Sequence, residues 1–230
     1  MKVMKRTQKI LLKVPSTIKQ GDGDSALNFS SYEITRSPIK NKENKFSTAD
    51  QKKVEAIFYM LTTNPKQAIE QLLVLREKYP HAPMLSNFLS NAYGRMGNSK
   101  AVLELVIENY VKNPDYLFAK INYAQQCLDN CWFEKIPEIF DHKFDLKLLY
   151  PNRNTFHVTE FAGFAGVMCG YYSSIGKQDT AQLLFDALKQ VTPESPMVGY
   201  AKSFLYPSLI KKLQRWIYNK RQKQINKLEF

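Results

Sequence analysis

Two stretches of the chain share the same length and the same boundary residues, and this recurrence constrains the fold more than any other feature. Gly97 to Pro114 and Gly176 to Pro193 each begin with a glycine after a tyrosine-containing segment and end with a proline. Glycine ends a helix at little cost in left-handed backbone, and proline cannot continue one, so the spacing is typical of helices between fixed breaks. The recurrence predicts helix pairs that stack on one another.

The residues around these breaks follow one pattern. The segment before Gly97 has Leu89, Ser90 and Tyr93 at the spacing L-G-x2-Y, with serine as the small residue. The second half of the pattern, A-x3-F or A-x3-L followed by P, occurs twice, at Ala68, Leu72 and Pro80 and at Ala181, Phe185 and Pro193. Over roughly Ser47 to Glu194 the chain thus resembles the tetratricopeptide repeat (TPR) superfamily, whose members are solenoids with a period of about 34 residues.

The spacing of the breaks supports this resemblance. Pro80 and Pro114 lie 34 positions apart, whereas Gly97 and Gly176 lie 79 apart, which exceeds two such periods by 11 residues. The excess predicts a long loop or an extra turn near Phe144 to Asn154. The resemblance implies an all-α fold, an α-solenoid of about four TPR-like helix pairs without a substantial sheet. The predicted helix breaks are at Asn64-Pro65, Pro80, Gly97, Pro114, Pro151, Gly176 and Pro193.

Positive charge is concentrated at the two ends of the chain. The net charge is +12, with +6 in residues 1–47, +7 in residues 195–230 and −1 between them. We therefore divide the chain into a basic, largely disordered N-terminal arm (1–47), a TPR-like repeat domain (48–194), and a basic amphipathic C-terminal capping helix and tail (195–230). A weak amphipathic helix over Met1 to Lys13, which touches anionic lipid or an acidic partner, is the alternative for the arm.

The segment after Pro207 has apolar residues on one helical face and basic residues elsewhere. The apolar residues are Leu209, Ile210, Leu213, Trp216 and Ile217. A solenoid needs a terminal element that covers its last exposed core surface, so we expect this helix to act as the cap. The alternative is a contact of its basic face with a membrane surface or a nucleic acid.

In TPR proteins the first helix of each pair lines a concave groove that binds a peptide, and the resemblance assigns eight residues of this chain to it. They are Lys53, Ile57, Asn87, Asn91, Arg95, Gly163, Gly166 and Gly170. Each glycine costs about 1 kcal/mol in a helix interior, so some element must need the close approach that the three glycines allow. Either the C-terminal helix packs there, or a partner helix or peptide lies against them.

No pattern of catalysis or cofactor binding is present in the sequence. The three histidines, His81, His142 and His157, are not spaced as partners of a nucleophile, and no glycine-rich phosphate loop occurs. Cys127 and Cys131 have neither the spacing nor the number of ligands that a structural zinc site needs. We expect no enzyme activity, no cofactor, no metal and no small-molecule substrate.

These observations favour a protein–protein interaction scaffold that binds a peptide or helix of a partner in the groove of a TPR-like solenoid. One alternative is a cytosolic chaperone for a secreted or assembly-prone client. Another is a membrane- or nucleic-acid-associated factor, since the basic termini could make weak contact with either polyanion. Three cysteines and no signal-peptide pattern predict a reducing compartment, the cytoplasm.

Overall fold

The computed structural model describes residues 7–12, 30–39, 45–209, 212–213, 216–217 and 220. The chain forms two compact units: Ile39–Gln126 is one, and Met1–Pro38 with Cys127–Phe230 is the other. The described residues form ten α-helices and one three-stranded sheet. The prediction of a mainly helical protein is confirmed, and the small sheet is an addition to it.

The unit Ile39–Gln126 consists of consecutive helices. They are α1 (Thr48–Thr63), α2 (Pro65–Lys78), α3 (Pro83–Arg95), α4 (Ser99–Lys112) and α5 (Leu117–Asp129) up to its Gln126. α1 packs against α2, α2 against α3 and α3 against α4, and α1 also packs against α3. Side-chain oxygens of Ser47, Asn64 and Asn98 accept backbone N–H groups at the starts of α1, α2 and α4, which fixes where these helices begin.

One apolar core lies between these helices. It contains buried leucines and smaller residues from α1, α2, α3 and α4, with Leu72, Leu85 and Leu89 fully enclosed. Ala68 is also fully buried, where its small side chain permits the close approach of neighbouring helices. The repeat pattern therefore marked core positions correctly in this unit.

Three helix ends share one backbone conformation. Gly97, Cys131 and Gly176 have φ values of 73°, 63° and 84°. In each case the N–H of the following residue donates to the carbonyl five positions back, as in a Schellman cap. The sequence identified Gly97 and Gly176 but not Cys131, which lies 34 positions after Gly97 and so continues the period.

The chain after Cys131 replaces a full second helix with short elements. A 3-10 turn (Phe133–Lys135) leads into α6 (Ile136–Ile139), and α7 (Leu146–Leu149) follows. Left-handed backbone at Asp141 and His142 ends α6 after one turn. The predicted extra turn near Phe144 to Asn154 corresponds to α7 and to the loop after it.

A three-stranded sheet joins the start of the chain to its second half. Its strands are β1 (Thr7–Leu12), β2 (Ser30–Thr35) and β3 (Thr155–His157), in the order β1-β2-β3, with β1–β2 antiparallel and β2–β3 parallel. Tyr32 and Ile34 of β2 are buried, and the Tyr32 ring lies 5.2 Å from that of Phe156. Arg36 donates hydrogen bonds to Glu194 (2.9 Å) and to the carbonyl of Val191 (3.1 Å).

These contacts correct the expectation of a largely disordered arm for residues 30–38, whereas residues 1–6, 13–29 and 40–44 of that arm lie outside the described residues. Residues 30–38 belong to a folded unit because Tyr32 and Ile34 contribute to its core. Residues 7–12 form a strand, not an amphipathic helix. The alternation of Tyr32, Glu33, Ile34 and Thr35 is the signal of a half-buried strand, but it is only four residues long.

The centre of this unit is α8 (Val158–Ser174), which is buried around nearly its whole circumference. The helices α9 (Gln178–Val191) and α10 (Pro196–Leu205) pack against it, and β2 and β3 contact it as well. A helix that is apolar on every side needs such enclosure. Its N-terminus is closed by a capping box in which His157 accepts from the Thr159 N–H and Glu160 accepts from the His157 N–H.

Candidate functional site

The best candidate for a binding surface is a group of exposed aromatic side chains on α1 and α3. Phe58 and Tyr59 of α1 are 55% and 74% exposed, and Phe88 of α3 is half-buried. The Phe58 ring lies 5.7 Å from Tyr59 and 5.7 Å from Phe88. We call these three residues the aromatic surface. Phe88 also packs against the core of its unit, whereas Phe58 and Tyr59 are exposed. Adjacent exposed aromatic side chains are typical of protein–protein contacts.

Polar groups continue this surface along α3. Asn91 and Arg95 follow Phe88 at helical spacing, and both are exposed. The Arg95 Nε donates to Asn91 Oδ1 at 3.0 Å, which orients the guanidinium and leaves its other N–H groups available to a ligand. Asn91 and Arg95 are thus exposed on α3, and their assignment to a peptide-binding groove stays a prediction.

Ile57 does not belong to this surface. Its side chain is completely buried, so its assignment to the groove is corrected here. The assignment assumed the same offset of 34 residues for first and second helices, whereas a single residue joins α1 to α2 and three residues join α3 to α4. The first helices therefore match at an offset of 32, and a shift of two residues turns a side chain by about 200°.

The corrected register explains why Tyr59 is exposed. At the offset of 32, the buried Val54 and Ile57 correspond to the buried Ser86 and Leu89 of α3. Tyr59 then corresponds to Asn91, a predicted groove residue. The offset of 32 could not be recognised in the sequence until the length of the α1–α2 connection was known.

Lys53 and Asn87 have structural partners. The Lys53 Nζ, on a largely exposed side chain, lies 3.1 Å from the buried carboxylate of Asp50. Asn87 Oδ1 accepts from Asn109 Nδ2 (2.8 Å) and Asn122 Nδ2 (3.0 Å), which connects α3 to α4 and α5. Asn87 therefore holds three helices together, and we remove it from the candidate binding residues.

The glycine stripe of α8 is covered by the chain itself. Gly163, Gly166 and Gly170 are all buried. A Cβ on Gly166 would meet Met197 of α10, and a Cβ on Gly170 would lie 3.4 Å from the Phe204 ring. The Ser173 hydroxyl also donates to the Phe204 carbonyl at 2.7 Å. The three glycines thus lie inside the unit, and those at 166 and 170 admit α10, which precedes the helix expected there from Pro207 onward.

The apolar face expected to cap the repeats is exposed. Residues 209, 212–213, 216–217 and 220 are helical. The exposed fractions of Leu209, Leu213, Trp216 and Ile217 are 82%, 56%, 58% and 38%. We call these four residues the C-terminal apolar face. Their exposure corrects the expectation that they close the core, because α10 already packs on α8 and α9.

Two titratable residues of the described regions, Cys169 and His157, have surroundings that belong to the fold. Burial raises the pKa of the Cys169 thiol to about 12, so this thiol is protonated at neutral pH. The His157 side chain caps the N-terminus of α8. Within the described ranges, no three His, Cys, Asp or Glu side chains are close enough to hold a metal ion.

Comparisons with known proteins give no relative from which a function could be transferred: no family model, no curated protein and no solved structure matches this chain. None of the helices in the described part of the chain has both the length and the apolar character needed to cross a membrane.

Proposed function

We propose that this protein is a non-enzymatic interaction scaffold built from TPR-like helix pairs, and that it binds a peptide segment of a partner protein at the aromatic surface. The observation that carries the proposal is the contact of the exposed Phe58 ring with the exposed Tyr59 and the half-buried Phe88, on two helices of consecutive pairs. The support for TPR-like pairing is the packing of consecutive helices and the recurrence of the Schellman caps.

The chemistry of the surface defines the partner that fits it. Aromatic rings bury large apolar area at low conformational cost, so they suit an aliphatic or aromatic anchor residue of the peptide. Arg95 lies on the same face of α3 as Phe88 and offers charge-assisted hydrogen bonds, so a carboxylate next to the anchor fits best. The expected ligand is a short segment with an apolar anchor and a nearby Asp, Glu or C-terminal carboxylate.

A selection from a random peptide library displayed on phage tests this proposal. The full chain should enrich peptides with an apolar anchor followed by an acidic residue. The Arg95→Glu variant should lose the preference for acidic residues and gain one for Lys or Arg, because the charge facing the peptide is reversed. Enrichment of peptides without an acidic residue, or with the same composition for both proteins, would contradict the proposal.

A further inference from the structure

The C-terminal apolar face is the largest group of exposed apolar side chains that the proposed function does not use. Leu209, Leu213, Trp216 and Ile217 follow one another at intervals of four, three and one residues, so they lie along one side of the helical residues described there. All four belong to the described residues after α10, which are helical. Such a face is expected to meet an apolar medium.

The charge around this face restricts what can cover it. Residues 207–230 contain seven Lys or Arg residues and one acidic residue, Glu229. The described basic side chains Lys212 and Lys220 are exposed, and the Lys220 ammonium lies 5.1 Å from the centre of the Trp216 ring. A partner must therefore offer negative charge and an apolar layer together.

An anionic bilayer surface meets both requirements. Its headgroup region attracts Lys and Arg, while the boundary to the acyl chains accepts Leu, Ile and especially Trp. A nucleic acid would satisfy the charge and leave Leu209 and Leu213 in water. Because no described helix is suited to cross a membrane, the fitting geometry is a helix that lies in the plane of the surface.

We propose that the segment after Pro207 binds the surface of anionic membranes, with the C-terminal apolar face inserted below the headgroups and the basic residues on the lipid phosphates. This role is independent of the aromatic surface on α1 and α3. It makes the protein a peripheral membrane component that can present a bound peptide at a bilayer.

Vesicle flotation with the full chain tests the inference. Phosphatidylcholine vesicles that contain phosphatidylserine should bind at least about tenfold more protein than vesicles of phosphatidylcholine alone, and added salt should weaken that binding. Leu213→Glu should reduce binding at least about tenfold, since it puts a charge into the inserted face. The matched control Val111→Glu makes the same charge change at an exposed apolar residue of α4 and should bind like the wild type.

The fluorescence of Trp216 gives a second readout that does not depend on total charge. The chain has two tryptophans, so Trp132→Phe leaves Trp216 as the only reporter. Its emission should shift to shorter wavelength on phosphatidylserine vesicles and be quenched by brominated lipid. An unchanged emission with bound vesicles would overturn the inserted geometry.

Two other occupants are outcomes that would overturn the inference. If duplex DNA or RNA binds, and Leu213→Ser with Trp216→Ser leaves that binding intact while vesicles do not bind, the segment is a nucleic-acid contact. If the protein is a dimer that Leu213→Glu converts to a monomer, and vesicles do not bind, a second copy covers the face. Peptide selection at the aromatic surface is unaffected by either result.

Discussion

At three helix ends, a single residue adopts the left-handed backbone conformation that ends the helix. Gly97 and Gly176 adopt positive φ, and a Cβ at either position would have nothing within 4 Å. The need for glycine there is thus a matter of backbone conformation and not of space. Cys131 fulfils the same task with a side chain, although a residue other than glycine pays about 1–2 kcal/mol in left-handed backbone.

Replacing Cys131 tests the free-energy cost of its left-handed backbone directly. Cys131→Gly should stabilise the protein by up to about 1 kcal/mol, because relief of the left-handed strain exceeds the extra entropy of glycine in the unfolded chain. Gly97→Ala and Gly176→Ala should each destabilise it by about 1 kcal/mol for the same reason. Chemical denaturation measures all three, and a destabilised Cys131→Gly would show that the thiol makes contacts worth more than the strain.

Asp50 is a second residue with a specific structural role, which its carboxylate performs. Lys78 Nζ and the Tyr79 hydroxyl donate to it at 2.7 Å, and the Ser47 hydroxyl donates at 2.8 Å. These bonds, that to Lys78 foremost, hold the pKa of Asp50 well below its usual range. A lowered pKa means that the unfolded state takes up the proton first, so the stabilisation is complete above about pH 5 and is lost progressively as the pH falls further.

Asp50→Asn should therefore lower the denaturant midpoint at pH 7 and reduce its dependence on acid. Urea unfolding at pH 7 and at pH 3 measures both effects. The wild type should lose more stability than the variant between these values, because only the wild type has this carboxylate to protonate. Equal losses in the two proteins would exclude Asp50 as a source of acid sensitivity.

At the scale of elements, the contact of α8 with α10 depends on the glycines of α8. Gly166→Leu should destabilise the protein by roughly 1–3 kcal/mol, because the new side chain must displace Met197. Met197→Ala should recover part of that loss in the double variant by making room. Gly199 of α10 is the control: a Cβ there meets nothing within 4 Å, so Gly199→Ala should stabilise by up to about 1 kcal/mol.

The strand β2 is an element whose importance can be measured with a matched pair of isoleucines. Ile34 is 3% exposed and Ile39 is 40% exposed. Ile34→Ala should destabilise by roughly 2–4 kcal/mol because it leaves a cavity beside the sheet, whereas Ile39→Ala should have little effect. Thermal unfolding of the two variants compares them, and similar melting temperatures would mean that β2 is not integral to the fold.

The sequence predicted those elements whose boundaries depend on residue type. Prolines and glycines end helices for steric reasons, so the breaks at Pro80, Gly97 and Gly176 could be placed in advance. The end of α5 could not, because Cys131 has no such signature. The parallel pairing of β2 with β3 joins residues more than a hundred positions apart, and no local pattern encodes it.

Only part of the candidate site could be predicted, because the register of the repeat was read correctly for α3 but not for α1. The positions of Asn91 and Arg95 followed from the register of the repeat copy that contains Leu89, Ser90 and Tyr93. Tyr59 was missed because its exposure follows from the length of the α1–α2 connection, which shifts the first helix by two residues. The exposure of Phe58 is not explained by this shift, because the equivalent residue, Ser90, is buried. The glycines of α8 were expected to lie against some helix, and only tertiary structure identifies α10 as that helix.

For the whole molecule, our two proposals concern two surfaces of different chemistry. The aromatic surface has one Arg–Asn pair beside it, on a segment of nearly neutral charge. The C-terminal apolar face lies in a strongly basic segment. A scaffold that holds a peptide at one surface and a bilayer at the other would bring a client to a membrane.

The most direct test of the central claim is the dissociation constant of a selected peptide, measured by calorimetry for the full chain and two variants. Phe58→Ser should weaken binding at least about tenfold, because an aromatic anchor of an interface commonly contributes about 2 kcal/mol. Val111→Ser removes an exposed apolar side chain from α4 and should bind like the wild type. Equal affinities of Phe58→Ser and the wild type would contradict the account, since the aromatic surface would then not be the binding site.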